Sequence, residues 1–182
     1  GNFATLNPLD VSPSYDATLS EGNLQVTPVN GSNWNNRYST MYVSSGKWYF
    51  EYSIVSGTGG MFGGIIKEGA TDINYIGYGA NGYGYYSSNG QVQNNSTVSA
   101  TYNTYTTGDV IGVALNMDDG EVEFFKNGTS QGSAITGLTG SWGFGLSMTV
   151  SGTKVHANFG ADSSFAGNET PQGNTDDNGV GD

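Results

Sequence analysis

The chain has 182 residues, enough for one domain with a real core, and it carries 16 acidic against 5 basic residues for a net charge of −11. Such a surface repels phosphate backbones and anionic bilayers, which excludes sequence-led nucleic-acid binding and adhesion to acidic membranes. Cysteine is absent and no apolar run of about 18 residues occurs, which excludes disulfides, thiolate chemistry and a membrane-inserted helix.

Thirty glycines against four prolines, with twelve Tyr, eight Phe and three Trp, suit many short strands joined by tight turns. No basic-then-apolar start is visible, so no secretory leader is expected. Residues 1–44 are read as strands and a loop that pack on a sandwich. Tyr15–Leu19 and Leu24–Val29 are strand-like runs around Ser20-Glu21-Gly22-Asn23, and Pro8, Pro13 and Pro28 confine them to edges or strand ends. Asn30–Asn36 is an Asn-rich loop bearing one large aromatic, Trp34. From Tyr38 onward the pattern is continuous β: Tyr38–Val43, Lys47–Val55, Met61–Lys67, Asn74–Tyr78, Tyr83–Tyr86, Asp109–Asn116, Glu121–Lys126, Thr129–Gly132, Trp142–Met148 and Lys154–Phe159. In the second of these, Trp48, Phe50, Tyr52 and Ile54 alternate with Lys47, Tyr49, Glu51 and Ser53, as in a strand covering one side of a core. Asp119-Gly120 and Asn127-Gly128 supply the positive φ of tight hairpin turns. No window sustains helical spacing. Residues 161–182 are nearly all small, polar or acidic apart from Phe165, and read as an extension, a linker or the cut edge of a longer polypeptide.

Three of these stretches carry a family resemblance. Gly46-Lys47-Trp48-Tyr49-Phe50-Glu51 is similar to the early strand of SPRY (B30.2-like) domains. Gly108-Asp109-Val110-Ile111-Gly112-Val113, the turn at Asp119-Gly120 and Phe124-Phe125-Lys126-Asn127-Gly128 resemble that family's later hallmark, and Lys154–Gly160 resembles its closing strand. The likeness spans residues 45–160. It implies an all-β fold, an antiparallel two-sheet β-sandwich of the concanavalin-like jelly-roll class, used as a binding scaffold. Asn2–Leu9, the SPRY-like core and the acidic Asn/Gly-rich end together resemble SPRY-containing proteins of marine bacteriophages. That setting implies a non-catalytic module at a virion surface or tail fibre, outside the cell. It would bind a host-surface glycan or protein and form a homo-oligomer with other virion subunits; the alternatives are a purely structural virion role and, behind it, a glycan-cleaving enzyme on a lectin-like sandwich.

Catalytic candidates are few. The lone His156 lies inside the last strand and reads as a histidine at the sheet surface. Glu121 and Glu123 share one strand face, the spacing of a glycosidase pair, but they oppose Val122 and Phe124 and read as the wet face of a hairpin. No catalytic residue and no cofactor is expected. Asn174, Asp176, Asn178 and Asp182 follow the first part of a calcium-loop spacing, with Asn in place of the leading Asp and no acid at the twelfth position. An acidic flexible linker is the plainer reading. The richest recognition surface is the tyrosine run Ile73–Tyr86. There Tyr75, Asn81, Tyr83, Tyr85 and Tyr86 are expected to be more exposed than Tyr78, with Trp34 as a second exposed aromatic.

Overall fold

The computed structural model describes residues 3–9, 17–29, 31, 33–57, 59–70, 74–171, 173 and 179. Among them there is no helix, and fourteen strands build two antiparallel sheets. The strands are β1 (Ala17–Ser20), β2 (Gln25–Pro28), β3 (Asn35–Val43), β4 (Lys47–Ser56), β5 (Met61–Lys67), β6 (Gly82–Tyr86) and β7 (Gln91–Asn94). They continue as β8 (Thr97–Thr101), β9 (Val110–Asn116), β10 (Glu121–Lys126), β11 (Thr129–Ser130), β12 (Ile135–Thr136), β13 (Trp142–Met148) and β14 (Lys154–Asn158). One sheet has the order β1-β2-β14-β4-β9-β10-β11, with β12 also on β10; the other has the order β3-β13-β5-β6-β7-β8.

Alternation along each strand makes the sandwich. Phe50, Tyr52 and Ile54 of β4, Ile111, Val113 and Leu115 of β9, and Val122 and Phe124 of β10 enter one buried cluster. From the second sheet the same cluster receives Met61, Ile65, Tyr85, Val92 and the alternate residues Trp142, Phe144, Leu146 and Met148 of β13. Phe50 stacks on Phe144 across the two sheets, with ring centroids 4.9 Å apart. Each such side chain contributes about 1.5–3 kcal/mol when fully buried.

The N-terminal hairpin and both hairpin turns form where the sequence places them: Asn127 and Gly128 have φ of 49° and 75°. Asn74–Tyr78 does not form the expected strand. Residues 74–81 instead cross the outer face of the six-stranded sheet as a strap, with Ile76 N–H donating to Ser147 Oγ at 2.9 Å. Ile76 packs with Tyr38 and Ile66 in a second small core, flanked by Tyr42 and Ala70. Glycines make room for the strap. A β-carbon on Gly84 would stand 2.1 Å from the Ile76 carbonyl oxygen, and one on Gly145 2.8 Å from Ile76 Cδ1. β7, β8 and β12, absent from the sequence reading, also form. Their Gln, Asn, Ser and Thr content leaves only Val92 facing the main core from β7.

The C-terminal segment also packs on the fold. Asn158 Oδ1 accepts from the N–H groups of Gly160, Ala161 and Asp162, turning the chain back over the outer face of the eight-stranded sheet. Phe165 is 2% exposed and lies edge-on to His156. His156 therefore is not at an open sheet surface: it is 1% exposed, because this clasp covers it. The calcium-loop candidates Asn174, Asp176, Asn178 and Asp182 lie outside the described residues, as does the Asn30 end of the Trp34 loop.

Candidate interaction surface

The pairing of β5 with β6 sets Phe62 directly opposite Tyr86 on the outer face of the six-stranded sheet. Their rings stack at 4.4 Å with an interplanar angle of 12°. The strap lays Tyr75 on the other side of Phe62, at 4.2 Å and 7°, so that Phe62 is the middle of a three-ring stack. Trp34, just before β3, meets all three rings at 5.1–6.3 Å, in tilted or edge-on contacts. Tyr78, 48% exposed, stands edge-on to Tyr75 at the rim. Offset and edge-to-face pairs of this kind each add about 0.5–1.5 kcal/mol beyond burial, so the cluster is self-supporting.

The strap holds the rings in place. Its first residue is held by the Asn36 amide, which donates to the Asn74 carbonyl at 2.5 Å, its last by Lys67 N–H to the Asn81 carbonyl at 2.8 Å, and its middle by Asn95 N–H and Ser96 N–H to the Gly79 and Gly77 carbonyls at 3.0 Å. Tyr75 hydroxyl donates to Gln93 Oε1 at 2.9 Å. From Ile73 to Gly108 there is no Asp, Glu, Lys, Arg or His, so three of these rings, Tyr75, Tyr78 and Tyr86, come from an uncharged stretch of an otherwise acidic chain.

Of the residues read from the sequence, Trp34, Tyr75 and Tyr86 come together here. They are partly buried rather than freely exposed, because each ring covers another. Asn81 is exposed in the turn before β6. Tyr83 points to the other side of β6 and packs near Trp142, at 6.0 Å, with Lys67 Nζ 5.9 Å from that indole. Tyr85 corrects the expectation outright: it is fully buried in the main core, and its hydroxyl donates to the Asn103 carbonyl. Burial pushes its phenol pKa up, as it does for the neighbouring Tyr52 and Tyr105. Tyr78, expected to be the least exposed, is an outer member of the patch. Phe62, its centre, was not singled out, since only the β5–β6 register reveals it.

The other candidates are placed plainly. Glu121 and Glu123 lie on the face opposite buried Val122 and Phe124, and Glu123 accepts from Ser130 Oγ, as a hairpin's wet face requires. A shallow cleft of about 440 Å³ is lined by Asn103, Lys126 and Gln131, and its lysine is already paired with Asp109 at 3.1 Å. Among the described residues, no three His, Asp or Glu side chains gather to hold a metal ion.

The SPRY domain family matches residues 47–162. Ran-binding protein 9 of Xenopus tropicalis is 36% identical over 118 residues, covering 63% of this chain and 22% of that protein. The Ran-binding proteins 9/10 homolog of Drosophila melanogaster is 33% identical over 120 residues, covering 64% of this chain and 12% of that protein. The chain thus spans about a fifth or less of the length of these relatives. Among solved structures, the SPRY domain of human HERC1 aligns with a TM-score of 0.69 at 20% identity, over 84% of this chain and 96% of that one. The TRIM65 PSpry domain aligns with a TM-score of 0.68 at 16% identity, over 86% and 89%. These identities speak for the fold, an antiparallel β-sandwich. SPRY domains are generally protein-interaction modules, and this chain belongs to the SPRY domain family.

Proposed function

We propose that this domain is a non-catalytic recognition module that binds a segment of a protein partner on the aromatic surface formed by Trp34, Phe62, Tyr75, Tyr78 and Tyr86. The observation that carries this reading is the three-ring stack of Tyr75, Phe62 and Tyr86, with Trp34 edge-on and Tyr78 exposed at its rim. Rigid aromatic side chains give large contact area at low entropic cost, and the uncharged stretch that supplies Tyr75, Tyr78 and Tyr86 favours an uncharged segment with apolar or aromatic anchors. Binding there depends little on salt, in contrast to any contact made by the acidic remainder of the chain.

The same rings carry a second reading. Flat aromatic faces beside the Asn and Gln amides of β7 also suit a sugar ring and its hydroxyls. The phage virion or tail-fibre setting, and with it a host-surface glycan, rests on the N-terminal segment and composition alone. The matched relatives, which are animal proteins, favour a protein partner instead.

Selection of a yeast-displayed random peptide library on the chain, run beside a glycan array, separates the two. The expected result is enriched peptides whose binding falls at least about tenfold, roughly 1.4 kcal/mol, in Trp34→Ala and Tyr78→Ala. Tyr78→Ala is expected to lower the melting temperature by no more than about 5 °C, because that ring is at the rim and loses one edge-on contact. Peptides that bind both variants as well as the parent would place the interaction elsewhere.

A further inference from the structure

We infer that β8 is a self-association edge, at which two copies of the chain pair antiparallel about a two-fold axis near Ser99 and join their six-stranded sheets. β8 ends that sheet. The opposite edge, β3, is covered by the N-terminal segment, through the Leu6–Ser39 bridge and bonds from Asn7 N–H to Tyr38 O and from Thr40 N–H to Thr5 O. In the other sheet, β1 at one end has four residues and its Ala17 carbonyl accepts from Arg37 Nη2 at 2.6 Å, while β11 and β12 at the other end are only two residues long. β8 has five residues, Thr97-Val98-Ser99-Ala100-Thr101, with neither charge nor proline to blunt it, and four of the five are exposed. Val98 is 46% exposed.

Two features select a second copy as the occupant. The first is self-complementarity. Read in either direction from Ser99, β8 presents a small apolar residue and then a threonine, so antiparallel pairing sets Val98 against the partner's Ala100 and Thr97 against the partner's Thr101. Matched β-branched and hydroxyl pairs of this kind are favourable across strands. The second is electrostatic. A chain of net charge −11 repels its own copies over most of its surface, yet Ile73–Gly108 is uncharged and contains β6, β7 and β8 entire. Two chains paired here oppose no like charges from β6, β7 or β8 themselves. A bulge limits the contact: the register with β7 slips between Val92 and Gln93, leaving Ser99 without a partner on β7. A short, twisted edge gives a weak, reversible dimer, below the size of a standard interface.

Sedimentation equilibrium of the chain from about 10 µM to 1 mM reads this directly, a range that captures weak contacts. The expected result is a mass that climbs toward the dimer with concentration, and a Ser99→Lys variant that stays monomeric because two ammonium groups meet at the axis. Since the chain lacks cysteine, Ser99→Cys adds one thiol per copy, and mild oxidation is expected to give a covalent dimer. Thr129→Cys, on β11 at the other sheet, is not expected to do so. The cysteine pair decides the matter even if the lysine variant folds poorly. A parent chain that is monomeric at 1 mM overturns the proposal, as does a folded Ser99→Lys variant that dimerises like the parent or equal cross-linking through Ser99→Cys and Thr129→Cys.

Discussion

Gly63 lies against the ring of Tyr52 at the centre of the sandwich, so closely that a β-carbon on it would stand 2.3 Å from Tyr52 Cζ. The ring has nowhere to go. Tyr52 is fully buried, its hydroxyl donates to Tyr105 Oη at 3.0 Å, and the Tyr105 hydroxyl donates in turn to the Tyr85 carbonyl at 2.8 Å. Gly63→Ala is therefore expected to cost about 3 kcal/mol, part overpacking and part disruption of this buried chain of hydroxyls. Thermal melts followed by near-ultraviolet circular dichroism should show a midpoint lower by on the order of 10 °C. A drop of only a degree or two would mean that Tyr52 has slack that the packing does not show.

The β10–β11 turn makes a second prediction. Asn127, at positive φ, accepts from Val110 N–H at 2.9 Å and donates to Asp109 Oδ1 at 2.8 Å. Partial burial works to raise the Asp109 pKa, but it is outweighed by the Thr106 N–H, the Asn127 amide and the Lys126 ammonium, which hold it below its usual value. Asn127→Ala loses both side-chain bonds and leaves an ordinary residue in a left-handed conformation, at about 2 kcal/mol. Asn127→Gly loses the same bonds and relieves the backbone, at about 1 kcal/mol. Urea denaturation should rank them parent, glycine, alanine, and alanine milder than glycine would show that backbone strain is not what the asparagine relieves.

His156 sets a pH window. Burial disfavours its imidazolium and lowers its pKa, offset only in part by Asp162, whose Oδ2 is 3.8 Å from Nε2, and by Glu21. Below the ordinary value of 6.5 the unfolded chain takes up a proton that the folded chain resists, so stability falls as pH drops from about 6.5 through the lowered folded value. The slope reaches at most about 1.4 kcal/mol per pH unit. Asp162 acts in a separate, more acidic window. Burial would raise its pKa, but bonds from Ser164 and Ala166, together with His156, depress it, so its contribution is lost only as pH falls below 3.8. Urea midpoints measured between pH 7.5 and 4.5 should decline for the parent and flatten for His156→Gln. Parallel curves would show that some other group titrates.

The sandwich was legible wherever large apolar residues alternate with small or polar ones, as in β4, β9, β10 and β13. It was illegible where alternation is carried by other means. β7 and β8 contribute mostly hydroxyls and amides, and their strand character comes from the sheet they extend. Asn74–Tyr78 has a strand's composition, but Ile76 finds its partners in Tyr38 and Ile66 across the outer face, and the segment becomes a strap. That strap also explains the exchanged roles of Tyr78 and Tyr85. Parity along β6 separates Tyr85 from Tyr86, yet nothing in the sequence says that both faces of β6 are covered. The burial of His156 follows in the same way from Phe165, the one apolar signal in a polar extension.

A strap seated on glycines and tied at both ends leaves the recognition rings with little freedom to lose. A partner that docks on them orders its own chain but hardly reorganises this one, so its association should be fast and its calorimetric signature dominated by surface burial, a negative heat-capacity change without a large ordering penalty. On the proposed binding mode, the glycines of the outer sheet would set affinity by holding the strap in place rather than by contact.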